Sequence, residues 1–215
     1  MYIKDIFHSN TGVSQYRLEE STSKNAVLYT LYGQNELYED LSGVPGDMSD
    51  RKQIRTEYKG STLKAGDLIF STISGMATLV TSDHEGYLFT QNYVRMEPLN
   101  TPIDKKFMAY LINEHPKIKK QFKQNLQGSQ VVRYSLSLLK DIQLPRLPSI
   151  ETQRIMGDIY FKQLRLRALK QRVADNTYRK AIKGTEAEQD SQQSGSEAVP
   201  VVRFHRRHPP VCGTG

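Results

Sequence analysis

The chain has 215 residues, and its 30 Lys and Arg against 23 Asp and Glu give a formal net charge of +7. That length suits one ordinary domain plus an appendage, and the basic balance favours polyanionic partners, nucleic acid before acidic membrane surfaces, although a solubilising excess explains the charge equally well. The single cysteine, Cys212, allows no internal disulfide, MYIKDIFHSN lacks the apolar run of a signal peptide, and no stretch approaches the roughly 20 apolar residues that cross a bilayer, so a cytoplasmic protein without a membrane span is expected.

In chain order, Tyr2 to Phe7 alternates apolar and polar residues as a short half-buried strand does, and Thr11-Gly12 breaks it. A polar passage from Ser14 to Asn25 leads to Ala26–Tyr32, whose β-branched and aromatic content predicts a strand. Gly33 to Gly60 reads as irregular surface structure with at most one short strand. Asp67 to Ile73 and Met76 to Thr81 predict two strands separated by Gly75, and His84-Glu85-Gly86 turns the chain into Tyr87–Thr90. Gln91-Asn92 breaks the pattern before Tyr93–Met96. Phe107, Met108, Leu111 and Ile112 lie on one helical face, with Asp104 at the amino end, and Pro116 divides the region into helices Asp104–Glu114 and Pro116–Gln124. The second carries a basic patch of Lys117, Lys119, Lys120 and Lys123. A polar Gly-Ser loop and a short strand then pass through a proline hinge. From Ser149, a good amino-terminal cap behind Pro148, the pattern turns helical, with Glu151 in the first turn where the helix dipole favours an acid.

Several of these blocks together resemble a known family. They are Leu63-Lys64-Ala65-Gly66-Asp67-Leu68-Ile69-Phe70-Ser71-Thr72, then Gln91-Asn92-Tyr93-Val94, then Gly128-Ser129-Gln130, then Leu139-Lys140-Asp141-Ile142 running into Leu144-Pro145-Arg146-Leu147-Pro148-Ser149-Ile150-Glu151-Thr152-Gln153-Arg154-Ile155. In order and rough spacing, from about Lys4 to Ile182, the chain resembles the target-recognition domain and following helix of type I restriction-modification specificity subunits. The resemblance implies a unit that reads double-stranded DNA and catalyses nothing. Methylation, with S-adenosylmethionine as cofactor, then belongs to a partner modification subunit and cleavage to a restriction subunit, and this chain holds no cofactor of its own. The expected fold is mixed α/β (α+β): a β-rich recognition domain over 1–148, a long coiled-coil-forming helix over 149–183 and a disordered basic tail over 184–215.

The helix carries its own argument. Ile155, Ile159, Leu166, Leu169 and Val173 fall on alternating four- and three-residue steps when Lys162 takes one position of the seam, with Asn176 at the next. A narrow apolar stripe among Arg165, Arg167, Lys170 and Arg172 suits pairing with another helix; the competing reading is an amphipathic helix packed on its own domain. About 34 helical residues span roughly 50 Å, against roughly 34 Å for one turn of DNA. Members of the resembling family typically carry two recognition domains and two such helices as antiparallel spacers. One copy is present here without internal repeat, so the chain resembles half a specificity subunit. Two copies would read an interrupted palindrome, and a different half-subunit as partner would give an asymmetric target.

Candidate DNA contacts follow from side-chain chemistry. Lys117, Lys119, Lys120 and Lys123 suit phosphate, while Gln91, Asn92, Arg95, Gln127, Gln130 and Arg133 carry the paired donors and acceptors or the guanidinium fork that reads base edges. Turn closure is the plain alternative for the Gln and Asn residues, and Arg133 also fits the flank of a strand. Gly75 and Gly128 suit turn geometry or a close approach of backbone to phosphate.

Two other functions compete. A truncated assembly protein would act through the helix alone. A magnesium-dependent nuclease would use Asp47 and Glu57 with Lys59, but the Glu-x-Lys triplet lies in a loop-like region rather than on the strand such sites use. Ser71 and Ser74 lack a nucleophile elbow, His84 reads as a turn residue, and His205, His208 and Cys212 have too few partners for a closed zinc site. Gly184 to Gly195 has linker composition. Beyond it, Arg203, Arg206 and Arg207 offer sequence-blind attraction to DNA, and an extension from a rearranged reading frame accounts for the same segment.

Overall fold

The mixed α/β class is present, and it is built around an antiparallel sheet whose two central strands are buried on both faces. The structure is a computed structural model and describes residues 1–46, 51–126 and 133–195. It divides into two units, Met1–Lys170 and Gln171–Gly215.

The four-stranded sheet has the order β1 (Phe7–Thr11), β6 (Tyr93–Pro98), β4 (Leu68–Ser71), β5 (Ala77–Leu79), every pair antiparallel. Strand periodicity then assigns the faces. Phe7, Leu68, Phe70, Ala77, Val94 and Met96 point to one side and join a core closed by α1 (Ile3–Ile6), α3 (Lys105–Glu114), α4 (Pro116–Leu126) and α5 (Leu136–Lys140). Ile69 and Tyr93 point to the other, where Tyr32, Leu37, Leu63, Val80 and Phe89 form a second cluster beneath α2 (Gln34–Ser42). Each buried Val, Leu, Ile, Phe or Met side chain among these contributes about 1.5–3 kcal/mol. A separate antiparallel pair, β2 (Val27–Thr30) with β3 (Gln53–Thr56), lies between β1 and β4 in sequence.

The edge strand β5 is protected by a side chain. The amide of Asn113 accepts from Ala77 N–H (2.8 Å) and donates to Ala77 C=O (2.7 Å), reproducing the bonds a neighbouring strand would make. The same Asn113 donates to the hydroxyl of Tyr160 (3.0 Å) on α6 (Ile150–Gly195).

Four expectations need correction. Tyr2–Phe7 is not a strand: Ile3–Ile6 makes one helical turn because the Asp5 carboxylate takes the Tyr2 N–H (2.6 Å), and the strand begins at Phe7. The supposed loop after Gly33 contains α2. Its start is set by Glu36 accepting the Gly33 N–H (2.8 Å), and its end by Gly43 in the left-handed conformation at φ 64. Tyr87–Thr90 makes only isolated bridges, Leu88 with Leu31 and Thr62, and Thr90 with Val13. The strand expected before the proline hinge is α5, capped by Ser135 accepting from Leu138 N–H (3.1 Å); Val131 and Val132 lie outside the described residues. By contrast Asp104 caps α3 through Phe107 N–H (2.8 Å), as its position predicts.

The long helix starts where expected. Ser149 accepts from Thr152 N–H (3.3 Å), and the Glu151 carboxyl lies below its ordinary pKa because its own backbone N–H and the Ser149 hydroxyl both bond to it. Helical backbone runs to Gly195, past the expected end at Lys183. No described helix is long and apolar enough to cross a membrane.

Candidate nucleic-acid interface

Three segments far apart in sequence meet at one end of the sheet. Leaving β4, Thr72 donates its N–H (2.9 Å) and its hydroxyl (3.1 Å) to Asn92 C=O, while its own C=O accepts from Tyr134 N–H (2.9 Å). The Asn92 side-chain oxygen in turn accepts from the Arg133 guanidinium (3.0 Å). The turn at this end tightens at Gly75, which sits at φ 70 with the Tyr134 ring where a Cβ would stand, 2.5 Å away. Ile73 projects beside it, 48% exposed.

A cleft of ≈ 590 Å³ lies on one side of this junction. Met76, Phe122 and Tyr134 contribute to its wall, and Lys119 and Lys123 line it from α4. A smaller cleft of ≈ 380 Å³ includes Asn92 of this junction in its lining, with Gln15, Gln34, Asn35, Lys52 and Tyr93 among others. Gln34 is held by donating to both the Ser71 hydroxyl (2.8 Å) and the Tyr93 hydroxyl (2.9 Å). Burial pushes the Tyr93 phenol up to about 12, the Gln34 bond opposing, so the hydroxyl stays protonated at neutral pH.

The residues singled out by sequence fall into distinct places. Asn92 and Arg133 come together. Gln91 is half-buried and closes the turn through its N–H to Val13 C=O (2.8 Å). Arg95 lies within the sheet at 14% side-chain exposure, 3.0 Å from Glu97 and 3.6 Å from Asp67 and stacked over Phe89, so its charge is already engaged. On α4, residues four apart share a face: Ile118 and Phe122 go to the core, Lys119 and Lys123 flank the larger cleft, and Lys117 and Lys120 emerge on the opposite flank. Lys119 is paired with Glu114 (3.0 Å), whereas Lys117, Lys120 and Lys123 have no ionic partner among the described residues. Gln127, Gln130 and Gly128 lie outside the described residues. Sequence reasoning missed Gln15, Gln34, Asn35 and Lys52. The last three flank or belong to α2 and β3 in the region read as loop, so recognising α2 from its Gly33 and Glu36 start would have exposed them.

Behind this edge, His84 is no simple turn residue. It is buried, with Nδ1 2.8 Å from Asp40 and Nε2 3.1 Å from Glu39; Asp40 also accepts from the Tyr32 hydroxyl (2.7 Å) and from Thr81 N–H (2.9 Å) and hydroxyl (2.7 Å). Arg51 donates to Glu39 (2.9 Å) and to the Tyr87 hydroxyl. Burial opposes a charge on His84, but the bond to and charge of Asp40, with Glu39, outweigh it, and the ring's pKa lies above the ordinary histidine value. The network ties α2 to the chain after β5. Of the residues considered for a nuclease, Glu57 accepts from the Ser21 hydroxyl (3.4 Å) and Asp47 lies outside the described residues; no group of three potential metal ligands occurs among those described.

Helix α6 has two faces. Gln153, Gly157 and Tyr160 are buried against the domain. On the opposite side the apolar stripe is open, with Ile155 61%, Ile159 60%, Leu166 54% and Leu169 42% exposed; Val173, next in the same register, is 65% exposed. The helix packs on its own domain, therefore, but not through the stripe.

A polar, partly cationic edge, fixed by hydrogen bonds between distant segments and joined to a helix with an unused apolar face, is the construction of a recognition and docking module. The chain belongs to the type I restriction modification DNA specificity domain family, whose model matches residues 1–174. A search of curated proteins by sequence gave no match. Among solved structures it is similar to the HsdS subunit from Thermoanaerobacter tengcongensis, at 13% identity and a TM-score of 0.51 over 81% of this chain and 39% of that one. A chain described for complex assembly and conformational transition of the type I R-M system gives 16% identity and a TM-score of 0.52 over 98% and 51%. The type I S subunit from M. genitalium is also similar, at 17% identity and a TM-score of 0.45 over 86% and 43%. The chain thus spans about two-fifths to one-half of the structures it resembles.

Proposed function

We propose that this chain is a non-catalytic DNA-specificity unit that reads one half of a bipartite target and directs a partner methyltransferase subunit, with a restriction subunit as a further partner. In this reading residues 1–148 are the reader, the helix from Ser149 to about Lys183 is the spacer, and the tail plays no part in sequence choice. The observation that carries it is the α6 stripe: Ile155, Ile159, Leu166 and Leu169 stand open on the face turned away from the domain, and Val173, next in the same register, is exposed as well. An exposed apolar face of this kind marks an interaction site. Its 3.5-residue spacing fits a second helix, from another copy or from a different half-subunit.

The DNA half of the proposal rests on family membership and on the edge around Asn92 and Arg133. Arg133 offers a guanidinium fork suited to guanine, Gln15 and Asn35 offer amides suited to adenine, and Lys117, Lys120 and Lys123 offer charge to phosphate. S-adenosylmethionine is assigned to the methyltransferase subunit and not to this chain.

The test is duplex binding across a salt series, followed by reconstitution with the methyltransferase subunit and mapping of methylated bases. Salt-sensitive binding by this chain, with methylation at a gapped sequence only in the reconstituted mixture, is the expected result. Helix pairing with absent or salt-insensitive DNA binding would make the chain an assembly protein instead. Magnesium-dependent cutting by the isolated chain would overturn the non-catalytic reading.

A further inference from the structure

The domain face of α6 is mixed: Met156 and Phe161 pack half-buried against the core, while the buried positions are Gln153, Gly157 and Tyr160. Each makes a contact that fixes direction. Gln153 is 3% exposed; its side-chain oxygen accepts from Asp104 N–H (3.0 Å) and its amide donates to Pro148 C=O (3.0 Å). It therefore ties the end of the proline hinge to Asp104, the residue that caps α3. One turn on, Gly157 lies so close to α3 that a Cβ would come within 2.7 Å of both Lys106 Cβ and the Phe107 backbone nitrogen. Beside it Asp158 pairs with Lys106 (2.6 Å).

A further turn on, the Tyr160 hydroxyl accepts from Asn113, which is itself locked to both polar groups of Ala77 on β5. Burial raises the Tyr160 phenol to about 12, Asn113 pulling the other way, so it remains a neutral hydroxyl at neutral pH. Finally the Arg165 stem packs 3.6 Å from where a Cβ of Gly43 would stand, at the end of α2. Successive turns of α6 are thus held by α3, the sheet edge and α2.

Resting on the DNA-reading function above, we infer that Gln153, Gly157 and Tyr160 are positioning residues: together they set the angle between the reader and the spacer helix, and hence the number of base pairs between half-sites. Hydrogen bonds and a backbone-close glycine suit this task. A greasy contact tolerates sliding and rotation, whereas a buried amide with both partners fixed and a contact with no room for a methyl each permit one arrangement. The tolerance required is small. A domain of about 150 residues has a radius of gyration of about 15 Å, so its reading edge acts on a lever on the order of 20 to 30 Å. A tilt of about 7 to 10° at the joint moves that edge by one base-pair step of about 3.4 Å.

The experiment is selection of bound sequences from a random-sequence duplex library by the full chain, comparing wild type with Gln153→Ala, Gly157→Ala and Tyr160→Phe, with a thermal melt of each. Wild type is expected to return two half-motifs at one gap length. The variants are expected to keep the half-motif while the gap distribution broadens or shifts by at least one base pair. A merely stabilising role would lower the melting temperature and leave the gap unchanged, and that result overturns the inference. Tyr160→Phe removes one hydrogen bond at nearly constant volume and keeps the test decisive if Gly157→Ala does not fold. Wild-type selection of a single ungapped motif, or of none, overturns the bipartite reading and this inference with it; a wild-type gap that the variants preserve overturns this inference alone.

Discussion

Replacing Ile159 by Ala on α6 tests the pairing face most directly. The side chain is 60% exposed and lies opposite Gln153 and Tyr160, so its loss removes nothing from the domain's own core. Full burial of an isoleucine contributes about 1.5–3 kcal/mol. With some three-fifths of its surface left to cover, each copy stands to contribute about 1–2 kcal/mol on pairing, and a symmetric dimer loses two copies. The expected cost is about 2–4 kcal/mol, on the order of a 30- to 1000-fold rise in dimer Kd. Sedimentation velocity over a concentration series measures it, with urea unfolding of the monomer as control. Adding Leu166→Glu places a charge at each of two copies and should leave only monomer at accessible concentrations. Self-association unchanged by both substitutions would refute the reasoning, because an interface built on the stripe cannot be indifferent to them. Loss of domain stability alongside pairing would equally show that the stripe serves the core.

Asn113→Leu should destabilise the domain by about 2–4 kcal/mol, because Ala77 N–H and C=O are left buried without partners; urea unfolding measures this. The His84 network predicts a pH dependence. A pKa raised in the folded state means the native protein binds more protons than the unfolded chain, so this stabilisation is complete below the ordinary histidine value of about 6.5 and is lost as pH rises through the folded value. Unfolding midpoints should therefore fall from pH 6 toward pH 8.5 more steeply in wild type than in His84→Gln. Changing Lys117, Lys120 and Lys123 to Ala should weaken DNA binding for all sequences alike and flatten the log–log salt slope by about 0.9 for each lysine that meets a phosphate, whereas Arg133→Ala should relax preference at one base pair at a cost of about 1–3 kcal/mol.

What could be read from sequence was what depends on local chemistry. The strand around Leu68 to Ser71, the Asp104 cap, the Pro116 break and the Ser149 start each follow from residues within one or two turns, and each stands where expected. Helix α2 was illegible because its buried face carries Glu36 and Asp40 beside Leu37 and Leu41, and those carboxylates are buried only because Gly33, Tyr32, Thr81 and His84 satisfy them. Gly33 and Tyr32 lie close by, but Thr81 and His84 come from more than forty residues away, beyond any local window. The same limit applied to the candidate interface. Asn92 and Arg133 could be proposed one at a time, but their meeting depends on Thr72 bridging two loops, and Arg95 looked available only because Asp67 and Glu97 were not known to face it.

On α6 the domain contacts and the apolar stripe occupy different faces, so packing on the domain is compatible with the proposed pairing. A helix with one sticky face must spend it either on its own domain or on a partner. This one avoids the choice by packing a different set of residues on its domain: Gln153, Gly157 and Tyr160 make the directional and close contacts, and Met156 and Phe161 add apolar area beside them. The aliphatic residues are thereby released. The division has a functional logic: association needs area, since burial is roughly proportional to surface covered, while spacing needs geometry, which hydrogen bonds and close packing supply. It follows that the two properties should separate by mutation. Changes at Ile159 or Leu166 should alter how much paired species forms without altering the gap it reads, and changes at Gln153 or Tyr160 should alter the gap without altering the pairing constant. Measuring both quantities on both sets of variants distinguishes this division from a helix whose two faces act as one.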